Sequence, residues 1–174
     1  MLKDAFRPSH ADYAYQAKYG IRDHRGGGRA SARETVARVV AGSIAKQLLE
    51  QRGITIAAYT SQIGSVCIDR KWEGSDFSKR DSNPLCCPDE NKTKEMQALL
   101  QTVASNGDTV GGIVTCMVKG CPIGLGEPIF DKLQADLAKA MLSIPSAKGF
   151  DYGDGVEAAS MFGSDSLDLF SADF

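Results

Sequence analysis

The segment Arg25-Gly26-Gly27-Gly28-Arg29 is a glycine-rich turn that leads directly into Ser31-Ala32-Arg33-Glu34. Free backbone N–H groups at a helix start, with the positive end of the helix dipole, attract phosphate or carboxylate. Glycines let the backbone approach such a group closely. Arg25, Arg29 and Arg33 add fork-shaped donors suited to two-point contacts with an anion. The competing reading is a flexible connection whose arginines keep it solvated, and the residues alone leave both readings open. The turn is not a P-loop, because the Gly-Lys-Ser/Thr ending is missing. It is not a dinucleotide fingerprint either, since no G-x-G-x-x-G follows a predicted strand.

His10 stands within Arg7-Pro8-Ser9-His10-Ala11-Asp12. Histidine is suited to proton transfer near neutral pH, although a lone histidine also serves as an ordinary surface or capping residue. Nothing around His24 suggests a role, and Asp12 and Asp23 read as turn or cap residues. The spacing supports no serine–histidine or cysteine–histidine constellation. Cys67, Cys86, Cys87, Cys116 and Cys121 contain no C-x-x-C and lie far from both histidines, so no zinc template is met. Their odd number and the lack of an apolar N-terminal segment point to reduced thiols in the cytoplasm. All five read as buried structural residues.

The elements that must position these groups follow from composition and periodicity. The chain has 174 residues, 43% of them hydrophobic, which suits one globular domain. A domain of this size buries roughly 70% of the surface its unfolded chain exposes. A net charge of −2 gives no global argument for nucleic acid or an anionic membrane, and no apolar run approaches a membrane span. Charge is nevertheless uneven. Residues 1–38 carry eight basic and four acidic side chains, whereas the remainder is acidic.

Ser31 with Glu34 three residues later forms a capping-box pattern. Val36, Val40, Ile44 and Leu48 then recur at helical spacing to about Gln51. Strands are predicted at Ile54-Thr55-Ile56, at 65–68 and at 110–118. A long surface excursion is expected over 69–90. Glu90 to Ser105 reads as a helix with Met96, Leu99, Leu100 and Val103 on one face, ended by Gly107. Residues 121–128 read as a loop. Phe130 to Leu142 reads as a helix with a buried stripe at Leu133, Leu137 and Met141. Residues 156–162 read as a strand, and the last ten show no pattern. This order implies an α+β fold.

Three segments together resemble chorismate synthase: Arg7-Pro8-Ser9-His10-Ala11-Asp12-Tyr13, Lys18-Tyr19-Gly20-Ile21-Arg22-Asp23, and Arg25 through Thr35. The resemblance continues through Gly124-Leu125-Gly126-Glu127-Pro128, Phe130-Asp131-Lys132-Leu133 and Lys148-Gly149-Phe150, in the family's order. It implies a single partial domain over 1–174, similar to the central part of that family's β-α-β sandwich. It also implies a carbon–oxygen lyase of the shikimate pathway, which forms chorismate from 5-enolpyruvylshikimate 3-phosphate by 1,4-elimination of phosphate using reduced FMN. Some relatives reduce their own flavin, which places NADP among the expected ligands. Others depend on an outside supply.

Carried over by position, the resemblance makes His10 a catalytic acid and Arg7 and Arg33 substrate-holding arginines. Arg29, Ala30 and Ser31 become flavin contacts, with Pro145 and Ser146 a second such pair, where many members have Asn-Ala. Ser9 stands where glycine is frequent. The assembly it implies is a cytoplasmic homotetramer without nucleic-acid or membrane partners. Family proteins also carry a preceding segment of Gly-Glu-Ser-His-Gly type and a following Gly-Gly-Ile-Ser-rich and Arg-His-Asp stretch. The chain is thus expected to be a middle portion. The rival expectation is a catalytically incomplete fragment that binds phosphate esters or FMN only weakly; an unrelated phosphate-binding domain is a third reading.

Overall fold

The computed structural model describes residues 3–69 and 77–170. They form α1 (Asp12–Tyr19), α2 (Thr35–Glu50), β1 (Thr55–Ile63), β2 (Val66–Cys67), α3 (Glu90–Ser105), β3 (Gly112–Lys119), β4 (Gly126–Glu127), β5 (Asp131–Lys132) and α4 (Leu133–Leu142). The mix is α+β, as the sequence implies. The chain gathers into two compact units: Ser43–Cys121, and Met1–Gly42 together with Pro122–Phe174.

The unit Ser43–Cys121 is built on an antiparallel sheet of order β2-β1-β3. The β1–β3 register runs from Thr55↔Lys119 to Ile63↔Gly112 and slips between Thr60 and Gln62. Ser61 is the extra residue of this bulge. Its hydroxyl accepts from Thr115 Oγ1 at 2.8 Å and donates to the Ile113 carbonyl at 3.2 Å. On one face Tyr59, Ile68, Cys87 and Met96 form the core, and Phe77 stacks on Tyr59 at 5.1 Å.

Both ends of α3 match its sequence signals. Asp89 Oδ1 accepts from the N–H groups of Asn91 and Lys92 at 2.8 and 2.9 Å, an N-cap that satisfies two otherwise orphaned donors. At the other end Gly107 has φ +67°, its N–H donates to the Ala104 carbonyl, and the Asp108 N–H donates to Val103. That is a Schellman ending. The expected face holds, with Met96 buried and Leu99, Leu100 and Val103 half-buried.

Part of the expected excursion over 69–90 lies outside the described residues. The rest is not simply surface. A 3-10 turn at Phe77–Ser82 leads to Asn83, whose amide organises the following bend. Asn83 Oδ1 accepts from the N–H groups of Leu85 and Cys87, and Nδ2 donates to the Cys87 carbonyl at 2.8 Å. This bend drives Cys87 and Pro88 into full burial. The expectation of five buried cysteines fails elsewhere: Cys67, Cys86, Cys116 and Cys121 are exposed. Cysteine's general preference for interiors does not decide which face of a short strand or loop it occupies.

The other unit contains α1, the glycine turn and α4. An N-terminal helix was not expected from the sequence, yet its signals are present. Asp12 is in the first turn, Lys18 in the last, and Gly20 ends it with φ +73°. The helix expected from Phe130 starts later, at Leu133, because Asp131 and Lys132 instead pair with Glu127 and Gly126. Its expected buried stripe is only partly covered, Leu133 and Leu137 both being 37% exposed. Residues 156–162 are not a strand: Gly155–Ser160 is a 3-10 helix. Successive turns bring it about, with the Gly155 N–H donating to Tyr152, Glu157 to Asp154 and Met161 to Ala158.

Along α2 the apolar spacing gives the expected helix, yet the stripe faces solvent, with Val36, Val40, Ile44 and Leu48 each more than half exposed. Among the described residues no helix is long and apolar enough to cross a membrane.

Candidate functional site

Asp12 is the centre of the site. It is 2% exposed, which for a carboxylate requires compensating partners. Arg7 supplies the first pair, donating from Nε to Oδ2 and from Nη2 to Oδ1, both at 2.9 Å. Arg22, whose side chain is 7% exposed, reaches Oδ2 at 3.4 Å. It also donates to the carbonyls of Lys3 and Ala5 and lies over the Phe6 ring at 4.6 Å. His10 Nδ1 lies 2.6 Å from Oδ1.

The Arg7 hydrogen bonds hold the Asp12 carboxyl well below the usual carboxylate range, against the opposing effect of burial. They raise the Arg7 guanidinium in turn. Because the folded value of Asp12 is depressed, its stabilising contribution is complete above the unfolded value, about pH 3.9. It is lost only as pH falls through the folded value. The Tm difference between the chain and its Asp12→Asn variant is therefore expected to shrink as pH falls below about 4. Melting curves across that range check it, and a difference that persists unchanged into strong acid would contradict the assignment.

The glycine turn packs against this cluster. Gly27 is buried with φ +77°, and a Cβ there would lie 3.2 Å from Arg7 Nη2, 3.6 Å from His10 Cε1 and 3.1 Å from Ser31 Cβ. Only glycine supplies both that backbone conformation and that approach. At Gly26 a Cβ would overlap the Arg33 guanidinium. The structure thus brings Arg7 and His10 together with Ser31 and Arg33 around one turn, although more than twenty residues separate the first pair from the second.

Asp23 shapes the turn, as a turn residue should. Its Oδ1 accepts from the N–H groups of Arg25 and Gly26 at 3.0 and 3.2 Å, and its carbonyl accepts from Gly27. Those backbone donors, with the nearby arginines, lower the Asp23 carboxyl from its ordinary value. Ala30 and Ser31 donate to Gly27 and Gly28. Most N–H groups of the turn are therefore spent inside it, and residues 28–30 and 32–34 are short 3-10 turns that precede α2. An anion here is served by arginine side chains more than by a helix dipole, which revises the expectation drawn from helix polarity.

Ser31 caps as expected on one side, its Oγ accepting from the Arg33 N–H at 3.4 Å. The reciprocal half of the capping box gives way to an ion pair, with Glu34 facing Arg29 Nε at 3.7 Å. Arg33 donates from Nη2 to the Gly26 carbonyl at 2.7 Å and faces Asp23 at 3.5 Å. Its side chain is 64% exposed and that of Arg29 83%. A guanidinium has five donors, so both arginines retain N–H groups toward solvent. Arg25 is exposed beside them.

Pro145 and Ser146 are the central residues of a turn closed by the Ala147 N–H on the Ile144 carbonyl. Ser146 has φ +70°, the position where a type II turn favours glycine or asparagine. Arg38, one turn into α2, donates to the Ser143 carbonyl at 2.9 Å and so ties the end of α4 to the helix that follows Arg33. Two participants escaped the sequence reading. Asp12 reads there as a cap residue and Arg22 has no role, although the Arg-x-x-His-x-Asp spacing of 7, 10 and 12 was the available signal. Among the described residues no group of three His, Cys, Asp or Glu side chains could hold a metal ion.

A family model for chorismate synthase matches residues 1–173. A chorismate synthase of Bacteroides thetaiotaomicron is 55% identical over 169 residues, covering 97% of this chain and 47% of the relative. That of Christiangramia forsetii is 54% identical over 172 residues, covering 99% of this chain and 48% of the relative. A crystal structure of chorismate synthase aligns with a TM-score of 0.83 at 32% identity, covering 91% of this chain and 52% of that one. The chain thus spans about half the length of the curated relatives it matches. Since the match runs through the arginine–histidine cluster and the glycine turn as well as the rest of the chain, the chain belongs to the chorismate synthase family.

Proposed function

We propose that these residues form part of a chorismate synthase active site, converting 5-enolpyruvylshikimate 3-phosphate to chorismate and phosphate. The observation that carries this reading is the approach of Arg7 and His10, both held by Asp12, to the glycine turn at Gly27. The substrate carries carboxylates and a phosphate, and the exposed donors of Arg33 with the remaining N–H groups of half-buried Arg7 suit such an anion. Arg29, Ala30 and Ser31 suit the phosphate-bearing side of FMN, because cationic side chains there keep donors toward solvent. Half-buried Pro145 and exposed Ser146 offer a turn as a further contact. Reduced FMN, when bound, supplies electron density while phosphate leaves. His10 holds a proton at its ring, in reach of whatever anionic or electron-rich group the arginines position. The reading includes one partial domain over 1–174, a cytoplasmic setting, homotetrameric assembly and, in some relatives, NADP-linked flavin reduction.

A second reading, an incomplete fragment that binds FMN or phosphate esters weakly, is favoured by the solvent-facing stripe of α2. Such a patch on a soluble protein marks a surface made to be covered. Anaerobic chorismate formation with chemically reduced FMN separates the two. It should be assayed with this chain and with a version extended to the length of the relatives. Arg33→Ala is expected to lower kcat/KM of the extended version by about 10- to 100-fold, the loss of one charge-assisted contact of roughly 1.5–3 kcal/mol. Inactivity of the extended version itself would remove the lyase reading.

A further inference from the structure

We infer that Asp12 is a positioning residue that fixes His10 with its proton on Nδ1, leaving Nε2 as the nitrogen through which the ring exchanges a proton. The inference rests on the reading of His10 as an acid, but its geometry stands by itself. Two groups of the same residue compete for His10 Nδ1. The Asp12 carboxylate lies 2.6 Å away and can only accept, while the Asp12 backbone N–H lies 3.2 Å away and can only donate. They demand opposite tautomers. The shorter, charge-assisted bond dominates, because a bond to an ionised acceptor is roughly twice as strong as a neutral one.

The carboxylate is in turn immobilised. Arg7 grips both its oxygens and Arg22 reaches Oδ2, so it cannot swing away from the ring. A side chain at position 27 would come within 3.6 Å of Cε1, so glycine there leaves the ring its place. One buried carboxylate therefore sets both the tautomer of His10 and the orientation of Arg7.

The chain has two histidines, so a His24→Gln background leaves His10 alone in long-range 1H–15N spectra of the imidazole nitrogens. Recorded at mildly alkaline pH, the 174-residue chain is expected to show His10 protonated on Nδ1. Asp12→Asn removes the anionic acceptor and lets an amide N–H donate to Nδ1, so the ring is expected to move to the Nε2-protonated tautomer. Backbone amide spectra must show that the variant keeps its fold. Asp12→Glu serves as a second variant and is expected to retain at least part of the Nδ1-protonated population.

An Nε2-protonated ring in the parent chain would overturn the inference, as would a tautomer unmoved by Asp12→Asn in a folded protein. In the extended protein, Asp12→Asn is expected to lower kcat, and to lower it less in a His10→Ala background than in the parent, the remainder belonging to the orientation of Arg7. A silent His10→Ala would sink the acid reading while leaving the tautomer result intact, so the two failures are distinguishable.

Discussion

His10→Ala in a protein extended to the length of the relatives is expected to lower kcat by about 10²- to 10⁴-fold, the usual contribution of a positioned acid or base. The expectation rests on geometry. The His10 side chain is partly open to solvent while its Nδ1 edge is anchored to Asp12 at 2.6 Å, so one ring nitrogen is free for chemistry and the other is not. Truncation removes the proton carrier and leaves Asp12 still gripped by Arg7 and Arg22. Folding should therefore survive, and the loss should fall on turnover more than on KM. Steady-state kinetics under reducing, anaerobic conditions measure both. A kcat within about twofold of the parent would assign His10 to structure alone and take the chemistry elsewhere.

Met96→Ala is expected to destabilise the Ser43–Cys121 unit by about 2–5 kcal/mol, the range for removing a long apolar side chain from a packed core. Met96 is fully buried on α3 and packs with Tyr59, Ile68 and Cys87. This is the small core on which the sheet depends. The neighbours are held by the Asn83 bend and the α3 caps, so they cannot easily collapse into the space. Urea unfolding followed by far-ultraviolet circular dichroism should show a lower midpoint with an unchanged slope. An unaltered midpoint would show that the core tolerates the space or is not the source of this unit's stability.

The sequence made α3 legible because its signals are local. Asp89, the Met96–Val103 spacing and Gly107 each act within a turn or two of their own position. The arginines, glycines and Ser31 of the candidate site were readable for the same reason: they lie in one stretch, and their residue types state their chemistry. The strand at 156–162 was misread because a short apolar run does not specify a partner, and backbone turns around Asp151 and Gly155 won. The apolar stripe of α2 shows the same limit, since periodicity fixes which residues share a face but not what that face meets.

By itself, the sequence determined the helix spacing, the anion-friendly chemistry of residues 25–33 and the family resemblance, all properties of residue type and order. Only the tertiary structure decided that Asp12 is buried, that Arg7, Arg22 and His10 converge on it, and that any side chain at position 27 would crowd Arg7 and His10. Burial and hydrogen-bond partnership depend on distances between residues far apart in the chain. A carboxylate that looks like an ordinary helix-start residue becomes the centre of a charged cluster only once the fold has closed solvent away from it.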